Sequence, residues 1–109
     1  MAVSDTDIAF ARELFADLAP LTVRKMFGGA SLYSDGIIFA IVDAEGTVFI
    51  KAKGALAQAL IDDGGVPFAF TRPSDGRVMT MGYVSLPEAA LDAPDEACQW
   101  ARRAIQEGT

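Results

Sequence analysis

A chain of 109 residues has room for one domain, and we treat residues 1–109 as a single folding unit. Fifteen acidic and nine basic residues give a formal net charge of −6, which disfavours general nucleic-acid binding because phosphates require the opposite balance. The sequence has no histidine and one cysteine, so it lacks the usual residue for proton transfer and a credible zinc ligand set. We therefore expect no enzyme activity, no metal and no cofactor.

Three features of the sequence bear on its location. Residues 1–10 include two aspartates and no basic residue, unlike the start of a secretory signal. The longest strongly apolar run, residues 37–42, is far shorter than the roughly 20 residues that span a bilayer. The single cysteine, Cys98, cannot form a disulfide within the chain, which fits a reducing compartment. The expected location is the cytoplasm, without membrane contact.

The first predicted element is an amphipathic helix. Ser4 is a suitable N-cap, and Asp5 and Asp7 stabilise the first helical turn by their charge. Apolar residues then fall on one broad helical face: Ile8, Phe10, Ala11, Leu14, Phe15 and Leu18. Pro20 ends the pattern. We expect this helix to lie against a sheet.

The next segment predicts a meander of short strands separated by turns. Its extended pieces are residues 22–27, 30–33, 37–42 and 47–52. Gly28-Gly29 indicates a bulge or sharp bend, and Asp35-Gly36 indicates a tight hairpin. Residues 37–42 have no polar face, which predicts a central strand covered on both sides. Residues 47–52 alternate, with Val48, Ile50 and Ala52 on one side, and are predicted to lie at the rim of the sheet.

The remainder predicts a helix, a hairpin and a last helix. Residues 55–62 carry leucines at helical spacing, and Gly64-Gly65 is typical of a helix end. Residues 68–71 and 77–84 alternate well enough to pair as a hairpin, and a final helix follows Pro94. The predicted fold is α+β: an antiparallel β-sheet of meander plus hairpin, packed with three helices in the order α-βββ(β)-α-ββ-α.

The order of the turn and strand residues resembles one known family. Its opening signature is matched by Arg24-Lys25-Met26-Phe27-Gly28-Gly29 with Tyr33, Asp35-Gly36 and Phe39. Further matches in register are Lys51, Gly65, Pro67-Phe68, Met81, Tyr83, Pro87, Leu91-Asp92 and Trp100-Ala101. Across nearly its whole length the chain resembles the TfoX N-terminal domain family, which is named after bacterial regulators of competence for DNA uptake. The resemblance implies a compact α+β domain and supplies no catalytic residues.

Four basic residues form one candidate site. Arg24, Lys25, Lys51 and Lys53 would meet in a local basic patch if the first and third meander strands lie near each other. The alternative reading is that these charges protect strand edges from unwanted pairing. We expect a regulatory domain that binds an unidentified protein partner. The alternative function is a nucleic-acid or anion-binding module that uses this patch.

A homodimer is the expected assembly. The apolar content of 51% is high, and a helix as short as residues 55–62 leaves sheet surface to be covered. The predicted interface residues are Phe49, Phe70, Met79, Met81 and Tyr83. The competing arrangement is a monomer in which the last helix, with Trp100, covers the second face. Cys98 is read as a small buried filler on that helix.

Overall fold

The computed structural model describes residues 3–26, 28–71 and 73–108, except the side chains of residues 26, 70, 71, 78–81 and 108. The helices are α1 (Asp5–Leu14), α2 (Gly54–Asp62), α3 (Glu88–Leu91) and α4 (Pro94–Gly108), with a 3-10 turn at Ala16–Leu18. The strands are β1 (Leu21–Met26), β2 (Gly29–Ser34), β3 (Ile37–Val42), β4 (Val48–Lys51), β5 (Pro67–Thr71) and β6 (Val78–Ser85). The predicted α+β fold is confirmed, and the short helix α3 after Pro87 is an addition to it.

Helix α1 begins where the sequence predicts and ends early. The Asp7 N–H donates to the Ser4 side-chain oxygen at 3.1 Å, which confirms the N-cap. The predicted continuation to Leu18 is wrong, because Phe15 takes a φ of −106° and a ψ of 22°, outside helical geometry, although its N–H still donates to the Ala11 carbonyl. The 3-10 turn then brings Leu18 back into the core. Phe15 and Leu18 are both buried, as the pattern predicts, although they do not belong to one continuous α-helix.

The six strands form one antiparallel sheet in the order β1-β2-β3-β4-β6-β5. The prediction that residues 47–52 lie at the rim is wrong, because β6 returns to pair with β4 and encloses it. The edges of the sheet are therefore β1 and β5. The predicted hairpin between β2 and β3 is confirmed, since Asp35 and Gly36 both take the positive φ angles, 50° and 83°, of a tight turn.

A bulge in β3 decides which side chains face the core. Leu32 pairs with Ala40 and Tyr33 pairs with Ile38, so Phe39 is an extra residue opposite β2. Phe39 and Ala40 are consequently both fully buried, whereas Ile38 and Ile41 are half-buried. The prediction that this strand is covered on both sides is wrong, because the helices of the described residues pack on one face only.

The core lies between that face and the helices. Phe39 meets Phe15 edge to face, with ring centroids 5.1 Å apart. Ile50 and Val84 continue the same face on neighbouring strands, and Leu56 and Leu60 of α2 belong to the same buried cluster. Helix α4 contributes its small residues Ala97, Cys98, Ala101 and Ala104 to this cluster. Close approach of α4 to β3 and β4 follows from those short side chains.

Candidate interaction surface

The second face of the sheet carries no helix among the described residues, and we call it the open face. The strand register and the alternation of side chains along each strand identify the residues of this face, because directly paired residues on neighbouring strands point to the same side of the sheet. Phe68 joins them through its ring contact with Phe49. The open face comprises Thr22, Arg24, Ser31, Tyr33, Ile38, Ile41, Phe49, Lys51, Phe68, Tyr83 and Ser85.

A groove of about 420 Å³ runs across the open face from β2 to β6. Ile38 and Ile41 lie in it on β3, Tyr33 borders it from β2, and Phe68 and Tyr83 border it from β5 and β6. All five side chains are partly exposed, so a continuous apolar surface reaches solvent. A groove of this size and composition is typical of a binding site.

Ring contacts hold the groove walls in place. Phe68 packs edge to face on Phe49, with ring centroids 4.8 Å apart, and Phe49 is 8% exposed beneath it. The Arg24 guanidinium lies over the Tyr33 ring, 5.9 Å from its centroid.

Burial raises the pKa of Tyr83, and the nearby Tyr33 raises it further. Both influences favour a neutral Tyr83 hydroxyl, which remains a hydrogen-bond donor over the whole physiological pH range.

The predicted interface residues divide into two groups. Tyr83 lines the groove, and Phe49 lies on the same face but is largely covered by Phe68. The side chains of Phe70, Met79 and Met81 lie outside the described residues. Sequence reasoning did not single out Tyr33, Ile38, Ile41 and Phe68 as surface residues. The alternation of β2 marks Tyr33, but the bulge hides the same signal in β3.

The four basic candidates do not form one patch. Two strands separate β1 from β4, and Lys51 lies two residues beyond the row of Arg24, so the two residues start about 16 Å apart at the usual strand spacing. Lys25 is the neighbour of Arg24 but points to the helix side, where its ammonium lies 3.0 Å from an Asp5 carboxylate oxygen. Lys51 and Lys53 border a depression of about 220 Å³ together with Glu107. The structure therefore brings Lys51 and Lys53 together. Arg24 and Lys25 lie away from them on β1, and their side chains point to opposite faces of the sheet.

Charge is nevertheless distributed unequally between the two layers. The six strands contain Arg24, Lys25 and Lys51 and no acidic residue, whereas all fifteen acidic residues lie in helices and connecting segments. Asp43, at one end of the groove, already accepts hydrogen bonds from the N–H groups of Glu45 and Thr47. The strands of the open face thus carry two cations, Arg24 and Lys51, while Asp43 places a carboxylate at one end of the groove.

Cys98 has the surroundings of a structural thiol. It is 1% exposed on α4, and its sulfur lies 3.5 Å from the Leu14 carbonyl oxygen. Burial, the largest influence, raises the pKa of this thiol, so its reactive thiolate is scarce at neutral pH.

We expect native Cys98 to react with iodoacetamide at pH 7 at least about tenfold more slowly than the same residue in urea. Cys98→Ser should lower the free energy of unfolding by only about 1 kcal/mol, because the hydroxyl still donates to the Leu14 carbonyl. Mass spectrometry and urea titration measure these effects. Equal alkylation rates in the native and unfolded protein would show that the thiol is accessible.

Two negative findings apply to the part of the chain that is described. Within residues 3–26, 28–71 and 73–108, no three His, Cys, Asp or Glu side chains lie close enough to hold a metal ion. Over the same ranges, no helix has the length and apolar character needed to cross a bilayer.

The comparison with known families agrees with the fold. Residues 13–108 match the TfoX N-terminal domain, and the match covers the entire sheet, α2, α3 and α4. No curated protein matches the chain. The resemblance noted in the order of turns and strands is confirmed, and the chain belongs to the TfoX N-terminal domain family.

Proposed function

We propose that this TfoX N-terminal domain is a regulatory domain of the bacterial cytoplasm that acts by binding another protein, and that the open face is its contact surface. The observation that supports the proposal is the groove of about 420 Å³, an apolar surface on a sheet face without a helix. Exposed apolar patches of this kind are costly for a soluble protein and typically mark interaction sites. The domain acts by contact and carries out no catalysis.

A homodimer that forms through the open face when the partner is not bound is the second part of the proposal. Five strand spacings of about 4.8 Å and strands of about 20 Å give the face a plan area near 500 Å². Two such faces bury about 1,000 Å², the lower limit for a stable interface. Arg24 and Lys51 weaken this pairing, because two copies bring like charges together.

Light scattering at micromolar concentration is expected to give about twice the monomer mass of 11.5 kDa. Because salt screens the repulsion between the two open faces, the dimer fraction should rise between about 50 and about 300 mM NaCl. A mass of one chain at every concentration up to about 100 μM would contradict the dimer, since that affinity is too weak to matter in a cell.

Anion binding by Lys51 and Lys53 is a weaker candidate. Their depression has about half the volume of the groove, and Glu107 borders it. Two lysines beside a carboxylate leave a net charge of only +1 in that depression. The larger apolar groove therefore supports a protein partner better than a phosphate-bearing one.

Site-specific photo-crosslinking in the native cell tests the proposed function. A benzoylphenylalanine in place of Tyr33 lies in the groove. The same residue in place of Phe10 lies on α1, on the helix side of the sheet. Phe10 is 43% exposed, so both positions are accessible and both changes replace one aromatic ring by another. We expect crosslinked protein from position 33 and little from position 10. Crosslinks from position 10 alone would contradict the proposal.

A further inference from the structure

We propose that the free edge of strand β1 is a second protein-binding site, at which an extended segment of a partner protein adds a further strand to the sheet. The site lies beside the open face but does not use the groove, so it goes beyond the proposed function. Three observations carry it: the unpaired backbone groups of β1, the regularity of this edge, and the contacts that already hold its two cations.

The register of β1 on β2 shows which backbone groups are unpaired. The Asp35 N–H donates to the Pro20 carbonyl at 3.0 Å, and the register continues from there to Met26 without a shift. Hydrogen-bonded and non-hydrogen-bonded residues alternate along an antiparallel pair, so every second residue after Pro20 bonds to β2. The other residues direct their N–H and C=O groups away from the sheet, and they are Leu21, Val23 and Lys25. These backbone groups have no hydrogen-bond partner among the described residues.

The edge at β1 is more regular than the opposite edge at β5. β1 pairs with β2 through six residues without a bulge and contains no proline or glycine. β5 begins with Pro67, which has no N–H, and its register on β6 shifts between Pro67 and Ala69. Proteins usually interrupt exposed edges by such features, since a regular edge is a template for another strand. β1 is therefore the edge that can receive one.

The two cations of β1 do not block its edge. Basic side chains protect an edge when an incoming strand would have to bury an unpaired charge. The Arg24 guanidinium already lies over the Tyr33 ring on the open face, and the Lys25 ammonium already contacts Asp5 on the helix side. Tyr33 belongs to β2 and Asp5 to α1, so both cations are held by other elements of the domain.

The side chains of β1 indicate which segment fits. Leu21 and Val23 point to the helix side, where both are half-buried against the core. Thr22 and Arg24 point to the open face and are exposed. Paired residues on neighbouring strands point to the same side, so the added segment needs apolar side chains beside Leu21 and Val23. The matching partner is an extended segment that alternates β-branched apolar residues with polar residues.

A second copy of β1 fits this edge less well than a segment of another protein. Two antiparallel copies would bring the Arg24 and Lys25 residues of both to one seam, where like charges oppose pairing. The strand itself contains no acidic residue to offset them. A segment of another protein that alternates apolar and uncharged polar residues meets no such repulsion.

Fluorescence anisotropy with three forms of one peptide tests the proposal. The probe is Thr-Val-Thr-Val-Thr-Val-Thr with a fluorophore on a glycine–serine tail. Its valines would pair with Leu21, Val23 and Lys25, so the valine N–H groups face β1 and the threonine N–H groups face solvent. Methylation of the valine nitrogens removes the donors, and methylation of the threonine nitrogens is the matched control. We expect valine methylation to weaken binding at least about tenfold and threonine methylation less than about threefold.

Val23→Pro tests the same hydrogen bonds from the side of the protein. Proline has no N–H, and the Val23 N–H takes no part in the ladder between β1 and β2, so the variant should fold. Val23→Thr keeps the N–H and is its control. We expect Val23→Pro to weaken binding of the unmethylated peptide at least about fivefold and Val23→Thr less than about twofold. If circular dichroism shows that Val23→Pro does not fold, the methylated peptides on wild type still decide.

Four results would overturn the proposal. They are no binding of the unmethylated peptide at about 1 mM, equal effects of the two methylations, equal binding by folded Val23→Pro and Val23→Thr, and a dimer that becomes monomeric in Val23→Pro. The last result would mean that β1 holds a second copy.

The edge site and the groove fail separately. If the peptide does not bind while position 33 still crosslinks to a protein, strand addition is rejected and the proposed function stands. If the peptide binds as expected while position 33 gives no crosslink, the open face is rejected as the contact surface and the edge site stands.

Discussion

Phe39→Ala is expected to lower the free energy of unfolding by about 4 kcal/mol, which is a large part of the total for a domain of this size. Phe39 is completely buried, and its ring contacts Phe15 edge to face. Phe39 belongs to the close-packed buried cluster, whose side chains have little freedom to fill the cavity. Chemical denaturation followed by circular dichroism measures the change.

Phe10→Ala is the matched control for this variant. It removes the same atoms from a ring that is 43% exposed on α1. We expect a loss below about 1 kcal/mol, since little buried surface disappears. Similar losses for the two variants would mean that Phe39 is not a central core residue.

Gly65→Ala is expected to destabilise the domain by about 3 kcal/mol through overpacking. An added Cβ would lie 2.6 Å from the Ser85 carbonyl oxygen and 2.9 Å from the Leu60 carbonyl oxygen. The Gly65 N–H also donates to the Leu60 carbonyl at 2.8 Å, which holds Gly65 close to the end of α2. Because both obstructing atoms belong to backbone, neither can rotate away.

Gly36→Ala separates this steric effect from the general cost of removing a glycine. Gly36 has a φ of 83° and no atom within 4 Å of an added Cβ, so its cost is conformational and about 1 kcal/mol. Thermal or urea unfolding of the two variants gives the comparison. A loss at Gly65 no larger than that at Gly36 would contradict the close approach of α2 to β6.

Local patterns in the sequence predict the elements well, because each depends on neighbouring residues. Ser4 caps α1, Asp35-Gly36 forms the hairpin, and Gly64, with a φ of 106°, ends α2. The alternation of residues 47–52 also predicts the buried side chains correctly, since Val48, Ile50 and Ala52 are all in the core.

Features that depend on distant residues could not be predicted in this way. The sequence predicts β4 to be a rim strand because no residue near it in the chain indicates that β6, about 30 residues later, returns to pair with it. The run Ile37–Val42 has no polar residue to mark the open face, so the bulge at Phe39 is invisible in it. The basic candidates separate for the same reason, because strand order decides which charges are neighbours.

The central claim is that the domain binds its protein partner through the open face. An affinity pull-down from native cytoplasm with Ile41→Asp and Ile61→Asp tests it most directly. Ile41 lies in the groove, whereas Ile61 is 37% exposed on α2, so both variants add one charge at a partly exposed isoleucine. We predict that wild type and Ile61→Asp capture the same protein and that Ile41→Asp, although folded, does not. Equal capture by Ile41→Asp and wild type would contradict the account.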